Sequence, residues 1–350
     1  MGSGTPGLHL QRHRKTIEAQ PLDLHLMKKI SPATLRNSIQ CLMTLFCVWI
    51  GYRFYLFYEF MIGNSDVAVT KPGAVEGFLP ISALLSFKRL ITEGIYDEVH
   101  PAGLTIFIAV LVMSLLLRKG FCGYLCPIGF INNILNRIGL KTKRLVTVKG
   151  KIEFALLIPK YIAMTFFVYA VFVKMSVKDV NAFIHSGYNF TAEAKMLHFF
   201  SNLSTIATIV IGTIVLLSIF IPYFWCRFLC PYGALLGIIS KASPVAIKRD
   251  DDLCINCGKC TKACPGGIQV EVKDTINSAE CVGCTQCIGS CPVDECLTLT
   301  DRLSRKQIPW QTIAIGTIFI LMLYYATAVF TNHWNSPMPA EMLRNYYLNL

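Results

Sequence analysis

Cys254-x2-Cys257-x2-Cys260-x3-Cys264-Pro265 is followed by a second run of the same spacing, Cys281-x2-Cys284-x2-Cys287-x3-Cys291-Pro292. Three closely spaced thiolates can wrap one iron–sulfur cube, while the fourth, held off by a helical stretch and a proline, reaches a second cube. By that rule Cys254, Cys257, Cys260 and Cys291 hold one [4Fe-4S] cluster, and Cys281, Cys284, Cys287 and Cys264 hold the other. Structural zinc sites repeat Cys-x2-Cys at longer separation and do not need eight interleaved ligands. The chemistry implied is electron transfer between two neighbouring clusters.

A second kind of motif occurs twice. Phe121-Cys122-Gly123-Tyr124-Leu125-Cys126-Pro127-Ile128-Gly129 is echoed 104 residues later by Trp225-Cys226-Arg227-Phe228-Leu229-Cys230-Pro231-Tyr232-Gly233. The i,i+4 spacing puts each pair of thiols on one helical face. If the duplicated helices face each other, Cys122, Cys126, Cys226 and Cys230 converge into a third site, a further iron–sulfur cluster. Four buried thiols, or a redox disulfide in each pair, are the alternatives. Cys41, Cys47 and Cys296 are left over, and free cysteines are often simply buried hydrophobes.

Positioning these residues falls to apolar helices. The chain is 53% hydrophobic and 15% charged, more apolar than a soluble domain usually is. Stretches at about 38–62, 101–118, 152–173, 204–224 and 308–331 are each close to the roughly 20 apolar residues that a bilayer crossing needs. The segments 1–37, 118–151 and 225–307 carry 24 of the 33 lysines and arginines. The positive-inside rule therefore predicts a cytoplasmic N-terminus, a cytoplasmic cysteine-rich module and an outside C-terminus, and the expected location is the cytoplasmic (inner) membrane of a prokaryote. The segments assigned outside contain no cysteine. Spread over span flanks, the net charge of +12 reads as a topology signal and not as a nucleic-acid face. The first 30 residues are polar and basic, without the apolar core of a cleavable leader.

The expected fold is an α-helical integral membrane protein with five transmembrane helices and an internal duplication, carrying an inserted α+β two-cluster ferredoxin-like module. Its parts are a basic cytoplasmic segment (1–37), a four-helix membrane domain (38–243), the ferredoxin module (244–303) and a fifth helix with an outside tail (304–350). Charges inside spans are functional by default, and Arg53, Glu59 and Lys160 stand out, although snorkelling to the interface accounts for Arg53 and Glu59. Histidines 100, 185, 198 and 333 fall in or beside the outside segments, where a quinone headgroup or a partner's haem could be met. Arg53, His100, Lys160 and His333 are the residues singled out for such contacts. A transmembrane b-type haem would want histidine pairs within the spans, and none is seen there.

Together, the two Cys-x3-Cys-Pro motifs and ferredoxin cysteines 254 to 291 resemble the membrane polyferredoxin family related to the quinol dehydrogenase component NapH and to the C-terminal halves of NosR. Val75-Glu76-Gly77-Phe78-Leu79-Pro80-Ile81 is similar to that family's outside loop. The resemblance covers roughly residues 40 to 300. It implies quinol-linked electron transfer between the membrane pool and redox partners such as cytochrome or iron–sulfur subunits, as part of a complex. The chain departs from the shortest members by a fifth span and a tail containing His333-Trp334. A metal-reducing or cofactor-assembly accessory protein and a redox sensor are the competing functions. No outside Cys/Met cluster suited to copper favours the first, and no output domain follows residue 300 to favour the second.

Overall fold

The computed structural model describes residues 31–350 except 144, 147 and 149, so most of the basic segment 1–37 lies outside the described residues. The first helix, α1 (Pro32–Met61), begins six residues before the expected span, with a proline in its first turn where no intrahelical donor is needed. A 3-10 turn (Gly73–Phe78) leads into α2 (Pro80–Glu93), which stops at Gly94 in the left-handed conformation that glycine adopts freely. Then comes α3 (Pro101–Leu117), apolar on every side.

The remaining membrane-domain helices are α4 (Pro127–Lys141), α5 (Lys151–Tyr169), α6 (Val177–Ile184), α7 (Gly187–Phe190), α8 (Ala192–Ser201), α9 (Thr205–Phe220) and α10 (Pro231–Ser240). The ferredoxin module follows as β1 (Val245–Arg249), α11 (Lys259–Lys262), β2 (Thr275–Ile276), α12 (Gln286–Ser290), β3 (Leu297–Asp301) and β4 (Gln307–Ile308). Its antiparallel sheet has the order β2-β1-β3-β4. Val245 pairs with Asp301, so the chain enters and leaves the module side by side. The sheet runs to Ile308, past the expected boundary at 303. Last come α13 (Thr312–Phe330) and α14 (Ala340–Leu348).

Helix length and composition by themselves support three or four crossings among the described residues, fewer than the five expected. Among the described residues three helices are long and apolar enough: α1, α5 with its terminal turn to Lys174, and α13. A fourth arises if α8 and α9, bent by 80° where Ser204 caps Ala207, count as one span. At 17 residues α3 reaches only about 26 Å against a hydrocarbon core of about 30 Å. Its apolar surface is enclosed by α2, α10 and α13, and Ala102, Leu104, Ala109, Val110 and Met113 are fully buried. Composition alone cannot separate a helix hidden by protein from one facing lipid. The lipid-type surface is instead on α1, α5, α9 and α13, which expose large apolar residues such as Leu42, Phe154, Ile206 and Phe319.

The two Cys-x3-Cys-Pro motifs adopt the same local structure. Each apolar helix passes into a π-turn, Phe121–Leu125 or Trp225–Leu229, in which the second cysteine's N–H bonds the carbonyl five residues back at 2.9 Å. Cys126 and Cys230 then leave the helical region and cap α4 and α10, whose first residues are prolines. The thiols of a pair therefore do not ride on one regular α-helical face as expected, because the proline stops the first helix and starts the next. Each helix after a motif packs on the helix before the other motif, α4 on α9 and α10 on α3.

Candidate metal centres

Two small cavities in the ferredoxin module are lined by four motif cysteines each. Cys254, Cys257, Cys260 and Cys291 surround the first, and Cys264, Cys281, Cys284 and Cys287 surround the second. Short helices α11 and α12 bring this about: each carries the third cysteine of its run and ends just before the fourth, which turns away toward the other cavity. Among the described residues, no three of these thiols have sulfurs all within 4.8 Å of one another. Ligands about 2.3 Å from a single zinc would stand closer, near 3.8 Å, so the cavities fit a larger group. Burial pushes the Cys264 thiol up to about 12, and Cys284 and Cys281 add to it. Such a set becomes thiolate only against cationic metal, and a cubane's irons supply that charge.

Cys296, which the spacing left without a role, lines the first cavity and is buried. Burial raises its thiol, and Cys291 and Cys254 raise it further, which leaves an S–H beside two ligand sulfurs. Arg249 lines the same cavity. The Asn256 backbone N–H lowers the Cys254 thiol, and Arg249 contributes to that lowering. Neither partner belongs to the repeated spacing; only position at the strand ends flanking the runs, Arg249 closing β1 and Cys296 just before β3, could have signalled them.

The four remaining motif cysteines are brought together. Cys226 interacts electrostatically with Cys122, Cys126 and Cys230, and Lys119 acts on Cys122, Cys226 and Cys230. Next to this group the membrane domain touches the second ferredoxin cavity. Gly123 lies against Val282, so that a Cβ added there would stand 2.5 Å from the Val282 carbonyl oxygen. Tyr124 meets Thr285 at 3.4 Å between hydroxyl oxygens. Gly123→Ala should cost about 2 kcal/mol through overpacking against rigid backbone, read as a lower Tm and a protease-sensitive ferredoxin module. An unchanged Tm would mean that the module is not seated on the motif.

Several basic residues counted above as topology signals prove to be buried clamps. Arg36 donates to the Gly123 carbonyl at 3.0 Å and to Gln286 at 2.8 Å, and its charge faces Cys284. Arg118 donates to the carbonyls of Ser240 at 3.2 Å and Ser278 at 2.6 Å, and also to Asn277. Arg227 pairs with Glu153 at 2.6 Å. An arginine that is 1% exposed, as Arg36 and Arg118 are, needs such partners. Sequence reasoning missed them because the partners come from distant segments.

The residues singled out for quinone or haem contact are not brought to one place. Lys160 is buried and donates to both carboxylate oxygens of Glu280 at 2.7 Å. His100 is also buried, at the other end of α3, which removes it from any exposed outside face. His333 is exposed and stacks edge-on against Tyr96, while Arg53 is half-buried in α1. Of the four, only Lys160 adjoins the cysteines. Tyr161 also donates to Glu280, at 3.2 Å. Burial pushes the Glu280 carboxyl up, but Lys119 and Lys160 outweigh it and hold it below the usual carboxylate range. Beside this trio a cleft of about 1060 Å³ opens between α5 and the ferredoxin module, lined by Leu157, Ile158, Tyr161, Phe166, Ala279 and Glu280 among others.

The 4Fe-4S binding domain family matches residues 99–145 and again 203–250, and the 4Fe-4S dicluster domain family matches residues 247–299. The putative electron transport protein YccM of Escherichia coli is 34% identical over 320 residues, which cover 89% of each chain. An uncharacterized protein of Methanocaldococcus jannaschii is 29% identical over 64% of this chain and 87% of its own. The methylamine utilization ferredoxin-type protein MauN of Paracoccus denitrificans is 45% identical over 42 residues, 12% of this chain and 15% of that one. No solved structure matches.

Proposed function

Because the chain belongs to the family of the putative electron transport protein YccM, membrane polyferredoxins with 4Fe-4S domains, we propose that it passes electrons between the quinone pool and redox partners. The observation that carries this reading is the apolar cleft whose polar end, Lys160, Tyr161 and Glu280, adjoins Cys281 of the second cavity and acts on Cys230. Cys254, Cys257, Cys260 and Cys291 would hold one [4Fe-4S] cluster, and Cys264, Cys281, Cys284 and Cys287 the other. Cys122, Cys126, Cys226 and Cys230 would hold a further one. Clusters bound there take up and release electrons singly.

The protein's own groups divide the rest of the work. The aliphatic and aromatic wall of α5 receives an apolar ring and tail, in the manner of ligand sites that are mostly greasy with a few convergent polar groups. Glu280, held ionised by Lys119 and Lys160, can accept the proton that leaves a quinol hydroxyl as its electron departs. Arg36 and Lys119 place positive charge beside the thiolate sets, which favours the reduced, more negative state. The repeated π-turn, with its reciprocal packing, supports an internal duplication. The parity of the charged segments supports five crossings, with the ferredoxin module and N-terminus cytoplasmic and the C-terminus outside.

A quinol analogue mixed anaerobically with the oxidised, iron-loaded protein should bleach its visible absorption. Leu157→Trp, which fills the cleft, should slow that bleaching about tenfold, a barrier change of roughly 1.4 kcal/mol, while dithionite still reduces the variant fully. Equal quinol rates in the two proteins would defeat the cleft assignment.

A further inference from the structure

At the end of α3 away from the cysteines, four charged side chains meet inside the protein. Lys71 and Glu76 come from the loop and 3-10 turn before α2, His100 caps α3, and Glu193 lies in the first turn of α8. Glu76, His100 and Glu193 are 1%, 2% and 0% exposed. His100 Nδ1 stands 3.6 Å from Glu76 Oε1 and 3.5 Å from Glu193 Oε1. These separations are too long for good hydrogen bonds. Nδ1 and Glu193 Oε2 have no hydrogen-bond partner among the described residues, and neither does the hydroxyl of Tyr347, which faces the same charges.

Ligand atoms from the three residues all lie within 4.8 Å of one another. Tetrahedral ligands about 2.1 Å from one ion stand about 3.4 Å apart, and the two His100 separations are close to that spacing. His100 Nε2 is 2.8 Å from the Asn189 carbonyl oxygen. A ring N–H given to a backbone carbonyl is the outer partner that orients a metal-binding imidazole and leaves Nδ1 as its ligand atom.

We propose that Glu76, His100 and Glu193 form a site for a first-row divalent cation of the Mn2+, Fe2+ and Zn2+ class, with Lys71 holding the cation's place when it is absent. Lys71 Nζ lies 2.9 Å from Glu76 Oε1 and also contacts Glu193 Oε1. Its side chain, 16% exposed, has a way out to solvent. The Lys71 ammonium thus sits between the two carboxylates in the metal-free protein, and one divalent ion there matches the charge of both. One imidazole with two carboxylates suits this class of ion better than Ca2+, which takes six to eight oxygens.

Mn2+ is the probe, because it is a poor match for thiolates and oxidised [4Fe-4S] clusters are EPR-silent. Added to the full chain, iron-loaded in detergent, Mn2+ should lose its free-ion EPR signal at about one ion per chain. Glu193→Gln should weaken binding tenfold or more, and Lys71→Met should tighten it, with iron content unchanged in both. Should Glu193→Gln fail to fold, wild type and Lys71→Met still decide. Mn2+ left free by both of these proteins, or bound equally by Glu193→Gln, overturns the site and leaves the quartet as an ion-pair lock.

Discussion

Cys264→Ser should abolish the cluster held chiefly by the second cysteine run and spare the one held by the run in which Cys264 itself lies. Its sulfur lines the cavity of Cys281, Cys284 and Cys287, and Cys291 lines the cavity of Cys254, Cys257 and Cys260. Losing one thiolate of four commonly destabilises the whole cube, so each variant should lose about four of the module's roughly eight irons. The identity of the lost cluster is read from reduced-state EPR against two references, Cys284→Ser and Cys257→Ser. Cys264→Ser should match the first and Cys291→Ser the second. The opposite matching would mean that each run keeps its own fourth cysteine.

The four single variants Cys122→Ser, Cys126→Ser, Cys226→Ser and Cys230→Ser should be indistinguishable from one another. If their thiols share one cluster, each change removes the same signal and the same iron, about four atoms, because the site fails as a unit. Cys41→Ser, on an exposed face of α1, is the control. Separate disulfides would instead give effects that pair Cys122 with Cys126 and Cys226 with Cys230. Full iron and normal electron transfer in all four variants would leave the ferredoxin cavities as the only cluster sites in the chain.

Legibility followed the range of the interactions involved. The grouping of the ferredoxin cysteines around two cavities could be read from sequence because three of the thiols in each set lie within seven consecutive residues, and covalent spacing alone limits where they can point. Helix positions were equally readable, since long apolar runs are local. Which of them faces lipid was not readable: α3 and α9 have nearly the same apolar composition, yet one is enclosed and the other exposes Ile206, Ile209 and Val210. Arg36 and Arg118 looked like interfacial charges because the carbonyls that hold them belong to segments about 87 to 160 residues away. The buried Glu76–His100–Glu193 group was hidden for the same reason, its members being far apart in sequence and each ordinary in its own segment.

The contact between Gly123 and Val282 also constrains how the protein can be built. Val282 sits inside the second cysteine run, whose Cys281, Cys284 and Cys287 are all buried, whereas Cys257 of the first run is exposed. An assembled cubane is several ångströms across and cannot slip through backbone packed to van der Waals contact. A cluster held by the second run would therefore have to be in place before Val282 closes against Gly123, or that contact would have to open to admit it. Filling that site and seating the module would then be linked steps, and replacing a damaged cluster there would require the run to loosen from the membrane helices.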